Sequence, residues 1–346
     1  MNSNQELNSL VCPDDGGELE TRSSVLSCRR CGGLFPIDAG IARFIDGIDD
    51  ERQAQVKQAF GFKWSRDSWG FKDAHRELML GFFKGRFQFD SESEIERFFA
   101  GKTVLSVGIG NGQSEQIFLK YCKSVWGCDI SESVDACRRN WQENYPDLVS
   151  RLQLAQADVM RMPFAEGSFD IVFSDGVLHH TPNTFEALKA ATAKLKSSGK
   201  IVFYIYRIKA PIREFVDDYI RERISHMPPQ QAFDALKPLT ALAHELSSAS
   251  LDISVPQNID LLGIKSGSYD LQRWIYWNVM KFYWNDALSE DENNHINFDW
   301  YYPKYAHRHT TDEVEKWLAM LHLNAEIINV TESGISVIAD KEQELA

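Results

Sequence analysis

The sequence predicts an α/β fold organised as a doubly wound parallel sheet, and three observations carry that prediction. The run VLSVGIGNG at residues 104–112 is an apolar strand entering a turn with glycines at 108, 110 and 112, and residues 113–122 follow with helical apolar spacing. Apolar strands and helical segments then alternate as far as residue 206, the spacing of βα units. An acid, Asp129, closes the second strand, where it could bond both hydroxyls of a ribose.

The bulk numbers narrow the function classes. At 346 residues, 43% hydrophobic and 25% charged, the chain is long enough for a large core and a second module. Its formal net charge of −13, with no Lys/Arg-rich run, argues against a nucleic-acid substrate. No stretch approaches the ~20 apolar residues of a membrane span, and the start MNSNQELNSL lacks the pattern of a secretion signal, so a cytoplasmic protein is expected. Six cysteines are then expected as thiols or metal ligands rather than disulfides.

In chain order, residues 1–48 form a glycine-punctuated module. Cys28 and Cys31 flank two residues, so both thiolates can meet one tetrahedral ion. The partner knuckle reads Cys12-Pro13-Asp14-Asp15, which leaves the fourth ligand to the Asp15 carboxylate or to another group. The alternative is a metal-free mini-domain. Residues 49–100 read as helices rich in aromatics, and the glycine-interrupted piece GFKWSRDSWGF, with Trp64, Arg66 and Trp69, is expected to close as a lid over a ligand. Ser91 and Glu94 form a capping box for a helix through Phe99, which Gly101 ends.

Beyond the glycine turn the pattern gives a strand to Asp129, a helix over 131–144, a strand over 152–157 ending at Asp158, a strand over 168–174, a helix over 184–195 and a strand over 200–206. After a long interruption come a helix from Thr310, capped with Glu313, and two strands over 326–330 and 335–340.

The ordered set of glycine loop, Asp129, an Ala-Asp pair at 157–158 with Pro163-Phe164, FDIVFSDGVLHHTPN at 169–183, the LKSSG turn and a terminal antiparallel hairpin resembles class I S-adenosylmethionine (SAM) methyltransferases of the small-molecule and sugar-modifying type. The resemblance implies a Rossmann-like sheet of seven strands formed by residues 101–206 and 310–346. It implies that Gly108, Gly110 and Gly112 pack against SAM, that Asp129 holds the ribose with Ile130 on the adenine, that Asp158 and Val159 meet the adenine edge, and that Ser174 and Gly176 line the floor near the sulfonium. The family usually carries an acid where Ser106 stands. Ser106 is therefore expected to bond the amino-acid end of SAM without the charge, and Ser106→Asp to preserve or tighten binding. Residues 10–45, with Phe35-Pro36-Ile37 and Gly40-Ile41, are similar to the zinc-ribbon domain of the methyltransferase-activator family, which implies a structural zinc on Cys12, Asp15, Cys28 and Cys31.

Residues 207–309 are too long for a loop and read as a helical insertion, broken at Pro228-Pro229, with a dense aromatic helix over 269–284. That helix suits either burial or contact with a second copy of the chain. Acid, base and aromatic side chains crowd into residues 297–310, so Trp64, Arg66, Tyr302, Tyr305 and Arg308 are candidate substrate-binding residues. Loss of a methyl group from a sulfonium needs alignment, and needs a base only where the acceptor is protonated. His180 and His307, then His179 and His309, are the candidate bases. The expectation is a SAM-dependent methyltransferase acting on a small polar molecule such as a sugar or a biosynthetic intermediate. Two alternatives are an NAD-dependent dehydrogenase using the same turn and a non-catalytic module that binds a partner.

Overall fold

The computed structural model describes residues 7, 9–45, 50–65, 70–71 and 73–342. Four short strands open the chain, β1 (Leu19–Arg22), β2 (Val25–Cys28), β3 (Leu34–Asp38) and β4 (Ile41–Phe44), followed by helices α1 (Glu51–Ser65), α2 (Asp73–Phe87) and α3 (Glu92–Phe99). The alternating part comprises β5 (Thr103–Val107), β6 (Ser124–Asp129), α4 (Ser133–Asn144), β7 (Leu152–Ala157), β8 (Phe169–Asp175), α5 (Thr184–Ala193) and β9 (Leu195–Tyr206). An insertion then supplies α6 (Pro211–Ile224), α7 (Pro229–Ala249), β10 (Asp252–Val255), β11 (Gly267–Asp270), α8 (Leu271–Asn278) and α9 (Glu290–Tyr301). The chain closes with α10 (Thr311–Met320), β12 (Leu323–Val330) and β13 (Gly334–Lys341).

The main sheet runs β1-β2-β3-β4-β7-β6-β5-β8-β9-β13-β12. Its strands from β7 through β9 pair in parallel, and β13 turns back antiparallel on β9 with β12 beyond it. Chain order reverses between β5 and β8, the switch point where doubly wound sheets open a crevice beyond their strand ends. Parallel strands covered on both faces must be apolar throughout, and all six residues of β7 are buried accordingly.

The sheet has eleven strands where seven were expected, because the N-terminal module is not a bead on a linker. β4 pairs parallel with β7, matching Ala42 to Ala155 and Phe44 to Ala157. Arg43 crosses that seam, buried, with its guanidinium on Asp135 at 2.7 Å and on the Gln156 amide oxygen at 3.1 Å. Leu10, Leu26 and Phe35 belong to one continuous core with Leu105, Val172 and Phe203 of the central strands. A second core on the opposite face joins Phe83 and Phe87 of α2, Phe99, Phe118 and Phe173 to Phe233, Phe298 and Tyr301 of the insertion. Phe99 and Phe118 stack within it at 4.4 Å, a contact worth about 1 kcal/mol beyond its area.

Three local expectations differ. Residues 113–122 form two short 3-10 turns, Ser114–Ile117 and Leu119–Tyr121, where a helix was expected, because Phe118 leaves helical geometry at φ −127° and sinks into the aromatic core. The helix expected over 269–284 stops at Asn278, and the chain then runs without regular secondary structure past Lys281. β9 starts at Leu195, so the LKSSG turn lies inside a strand, with Ser198 at φ +65°. Thr310 with Glu313 forms the expected capping box, whereas at Ser91 only half of one forms: Ser91 accepts from the Glu94 N–H, but the Glu94 carboxylate accepts from the Asp90 N–H. No helix among the described residues is long and apolar enough to cross a membrane.

Candidate active site

A cleft of about 710 Å³ opens at the carboxyl ends of β5 to β8 and continues between α1, α2 and the insertion. Gly108, Gly110, Asp129, Ile130, Asp158, Val159 and Gly176 all line it. Gly108 has φ +72°, and a Cβ there would lie 2.3 Å from a Val177 methyl, so glycine is required at this step. Gly112 is different. A side chain there would strike Cys137 and Trp141 of α4, and its carbonyl accepts from Trp141 Nε1 at 3.1 Å. It lies outside the cleft lining and serves the packing of helix on strand.

Asp129 is held by its own loop. Its Oδ1 accepts from the Ser131 N–H at 2.8 Å and hydroxyl at 2.7 Å, and Oδ2 accepts from the Gly110 N–H at 3.0 Å. A carboxylate oxygen has two lone-pair positions, so Oδ2 alone keeps one for a ligand. Burial pushes the Asp129 pKa up, opposed by those hydrogen bonds. Asp158 accepts from the Met160 N–H at 3.0 Å and from the Gln53 amide of α1 at 2.5 Å, which ties the helix to the cleft floor.

Ser174 is fully buried behind the cleft, its hydroxyl donating to the Val107 carbonyl at 3.3 Å. Ser106 is also buried outside the lining and donates to the Glu115 carboxyl at 2.6 Å. Glu115 arrives from the first of the 3-10 turns, has no exposed surface, and leaves Oε2 without a protein partner. Burial raises its pKa to about 7. This reverses the expectation for Ser106→Asp: a second carboxyl would be forced against a buried one, which destabilises rather than restores. Glu115 thus places a buried carboxyl beside the position of Ser106, and like Ser106 it lies outside the cleft lining.

The four histidines separate. His180 lines the cleft, with Phe60 of α1 4.9 Å from its ring. Its Nδ1 is 2.5 Å from the Tyr305 carbonyl, which can only accept, so the proton sits on Nδ1 and Nε2 carries a lone pair with no protein partner. Burial pushes its pKa down to about 4, with the Asp299 carboxylate opposing. His179 is fully buried outside the lining, 3.7 Å from the Tyr206 ring. His307 donates its N–H to the His179 carbonyl at 2.9 Å and sets Nε2 3.0 Å from the Thr181 carbonyl, while His309 sets Nε2 2.9 Å from the Thr184 hydroxyl. These two fasten the end of the insertion to the turn after β8 and do not reach the cleft.

Three substrate candidates are likewise structural. Tyr302 donates its hydroxyl to the Met227 carbonyl at 2.8 Å, Tyr305 to Asp50 at 2.6 Å, and Arg308 pairs with Glu214 and Asp218, each at 2.7 Å; none lines the cleft. Arg66 and Trp69 lie outside the described residues. Trp64 does line the cleft, under Lys63 Nζ at 4.0 Å from its ring, and a Cβ on Gly110 would meet its indole at 3.0 Å.

The cleft also holds charges that sequence spacing did not single out. Lys63 pairs with Asp299 at 3.0 Å and Arg86 with Asp175 at 2.5 Å. Lys209, Arg213, Arg273 and Lys281 enter from the insertion among Tyr276, Trp277 and Trp300. The density of aromatics between 269 and 302 was the one visible signal for them.

At the far end of the sheet, Cys12, Asp15, Cys28 and Cys31 bring one ligand atom each to within 4.8 Å of all the others. The Cys12 and Cys31 sulfurs are 3.7 Å apart, close to the separation that a tetrahedral ion with bonds of about 2.3 Å to sulfur imposes. The four residues therefore fit a zinc ion.

Residues 105–203 match a family model described as a methyltransferase domain. A 27-O-demethylrifamycin SV methyltransferase of Amycolatopsis mediterranei (strain S699) is 30% identical over 30% of this chain and 38% of its own length. Phosphoethanolamine N-methyltransferase 2 of Caenorhabditis elegans is 29% identical over 31% of this chain and 24% of its own. The chain thus spans less than half the length of these relatives. Among solved structures, the N-methyltransferase NodS from Bradyrhizobium japonicum WM9 in complex with S-adenosyl-L-homocysteine is 19% identical over 44% of this chain and 74% of that one, with a TM-score of 0.35; no residue's role here rests on it. The family match and the curated relatives support a methyltransferase.

Proposed function

We propose that this chain is a SAM-dependent methyltransferase acting on a small molecule held between the sheet and the insertion. The observation that carries the reading is that the glycine turn, Asp129, Asp158, His180 and residues of the insertion all line one cleft. The residues fit the ligand: Gly176 lines the cleft with open space beside its Cα, the turn at Gly108 admits no side chain, and Asp129 Oδ2 and both Asp158 oxygens retain lone pairs for ribose and adenine donors. When bound, SAM supplies an electrophilic methyl group on a sulfonium. The protein's share is alignment and exclusion of water. Trp64 on the Gly110 turn and Gln53 on Asp158 make α1 the cover of that end.

His180 is the base in this reading. The Tyr305 carbonyl fixes its tautomer, Nε2 is free to accept the acceptor's proton, and the Asp299 carboxylate favours the charged imidazole that results. Cys12, Asp15, Cys28 and Cys31, which lie outside the cleft lining, would hold a zinc ion with a structural role.

Calorimetry tests the reading. S-adenosylhomocysteine is expected to bind one site per chain, and Asp129→Ala to abolish that binding. Binding of NADH instead, or of neither nucleoside, overturns it.

A further inference from the structure

The insertion brings more positive charge to the cleft than its own acids neutralise. Lys281 lines the cleft and is only 7% exposed, yet its ammonium makes no hydrogen bond or ion pair among the described residues; it lies over the Trp300 ring, 4.8 Å from its centroid. The two acids nearest in the electrostatic sense are already engaged. Asp299 pairs with Lys63 at 3.0 Å. Asp217 accepts from Arg213 Nε at 2.6 Å, Trp300 Nε1 at 2.7 Å, the Tyr301 hydroxyl at 2.9 Å and the Lys281 backbone N–H at 3.1 Å. Lys209 spends its ammonium on the Glu332 and Ser333 carbonyls, which accept without neutralising it. Arg273 stands at the exposed rim above the Tyr276 and Tyr283 rings, with no carboxylate among the described residues on its guanidinium.

An unpaired ammonium withdrawn from water is expensive, and a protein escapes the expense by deprotonating it or by supplying an anion. Burial does lower the Lys281 pKa, to about 7, so the ammonium remains accessible near neutrality. Asp299 and Asp217 attract it, but they share that attraction with Lys63 and Arg213, and the cleft beside it is open. The walls around it are the flat faces of Trp277, Trp300 and Tyr276.

We propose that the insertion half of the cleft is an anion-recognition subsite, in which Lys281, helped by Lys209 and Arg273, binds a carboxylate or phosphate monoester carried on a planar, apolar body. The methyl acceptor is then an acid rather than a neutral sugar. The word acceptor rests on the methyl-transfer reading; the anion subsite does not.

The test uses the full chain, wild type and Lys281→Met, titrated with benzoate, phenyl phosphate, benzyl alcohol and inorganic phosphate, read by tryptophan fluorescence and calorimetry. At least one of benzoate and phenyl phosphate is expected to bind ten or more times tighter than benzyl alcohol, and the tighter of the two identifies the head group as carboxylate or phosphate. Lys281→Met should erase that preference while leaving S-adenosylhomocysteine affinity unchanged. Arg273→Gln, at an exposed rim that folding does not depend on, should weaken the same anion several-fold and stands in should Lys281→Met fail to fold. Equal binding of benzyl alcohol, inorganic phosphate binding as tightly as the best organic anion, or a preference that survives both substitutions overturns the subsite. Loss of S-adenosylhomocysteine binding in the wild type, with the anion preference intact, overturns the methyl-transfer reading and leaves the subsite standing.

Discussion

At the scale of single residues, His180 and Glu115 carry the sharpest expectations. Replacing His180 with glutamine should lower kcat for a protonated acceptor by about 10²- to 10⁴-fold without changing S-adenosylhomocysteine affinity, as steady-state assays beside calorimetry would read. Because the ring is held neutral down to about pH 4, kcat at saturating acceptor should not fall from pH 8 to pH 5.5 through loss of this base, where a histidine of ordinary pKa would already have cost about tenfold. Glu115 works in the opposite sense. Its folded pKa is raised by burial from 4.5 to about 7, so its stabilising contribution is complete below pH 4.5 and is lost as the pH rises through 7. The wild type should therefore lose about 3 kcal/mol of stability between pH 4.5 and pH 8 that Glu115→Gln does not lose, measured by denaturant unfolding at several pH values. Of the residues in the cleft wall, Gly108, Asp129 and Asp158 were legible in the sequence because they close strands at fixed intervals. Tyr302, Tyr305 and Arg308 misled because their chemistry is visible in a sequence, whereas the partners that consume it, Met227, Asp50 and Asp218, come from distant segments.

At the scale of elements, the insertion is hung on one carboxylate. Asp217 of α6 is 1% exposed and joins Arg213 of its own helix, Trp300 and Tyr301 of α9, and the irregular segment at Lys281. Asp217→Ala should cost about 3–5 kcal/mol, since it strands a buried guanidinium and several donors, and should weaken acceptor binding more than nucleoside binding. Chemical denaturation paired with separate titrations of the two ligands would measure both. Strands and caps were readable in advance because their periodicity is local. The 3-10 turns at 114–121 and the short α8 were not, since Phe118 and Phe282 leave helical geometry to fill cores built by other parts of the chain.

At the scale of the whole molecule, the four N-terminal strands extend the sheet instead of decorating it. The zinc reading predicts close to one ion per chain by elemental analysis, removed by a strong chelator with a lowered Tm, and a similar loss on Cys28→Ser. The effect should reach the nucleoside end as well, since β4 lies on β7, and β7 leads directly to Asp158.

That seam bears on how the molecule can be taken apart. A fragment trimmed to the conventional catalytic segment would expose the backbone of β7 as an unpaired parallel edge, and with it the apolar faces of Ala42 and Phe44's former neighbours. Such an edge invites a stranger's strand. The N-terminal strands are thus the sheet's selvedge, and a shortened chain that precipitates would be reporting a frayed border, not a damaged cleft.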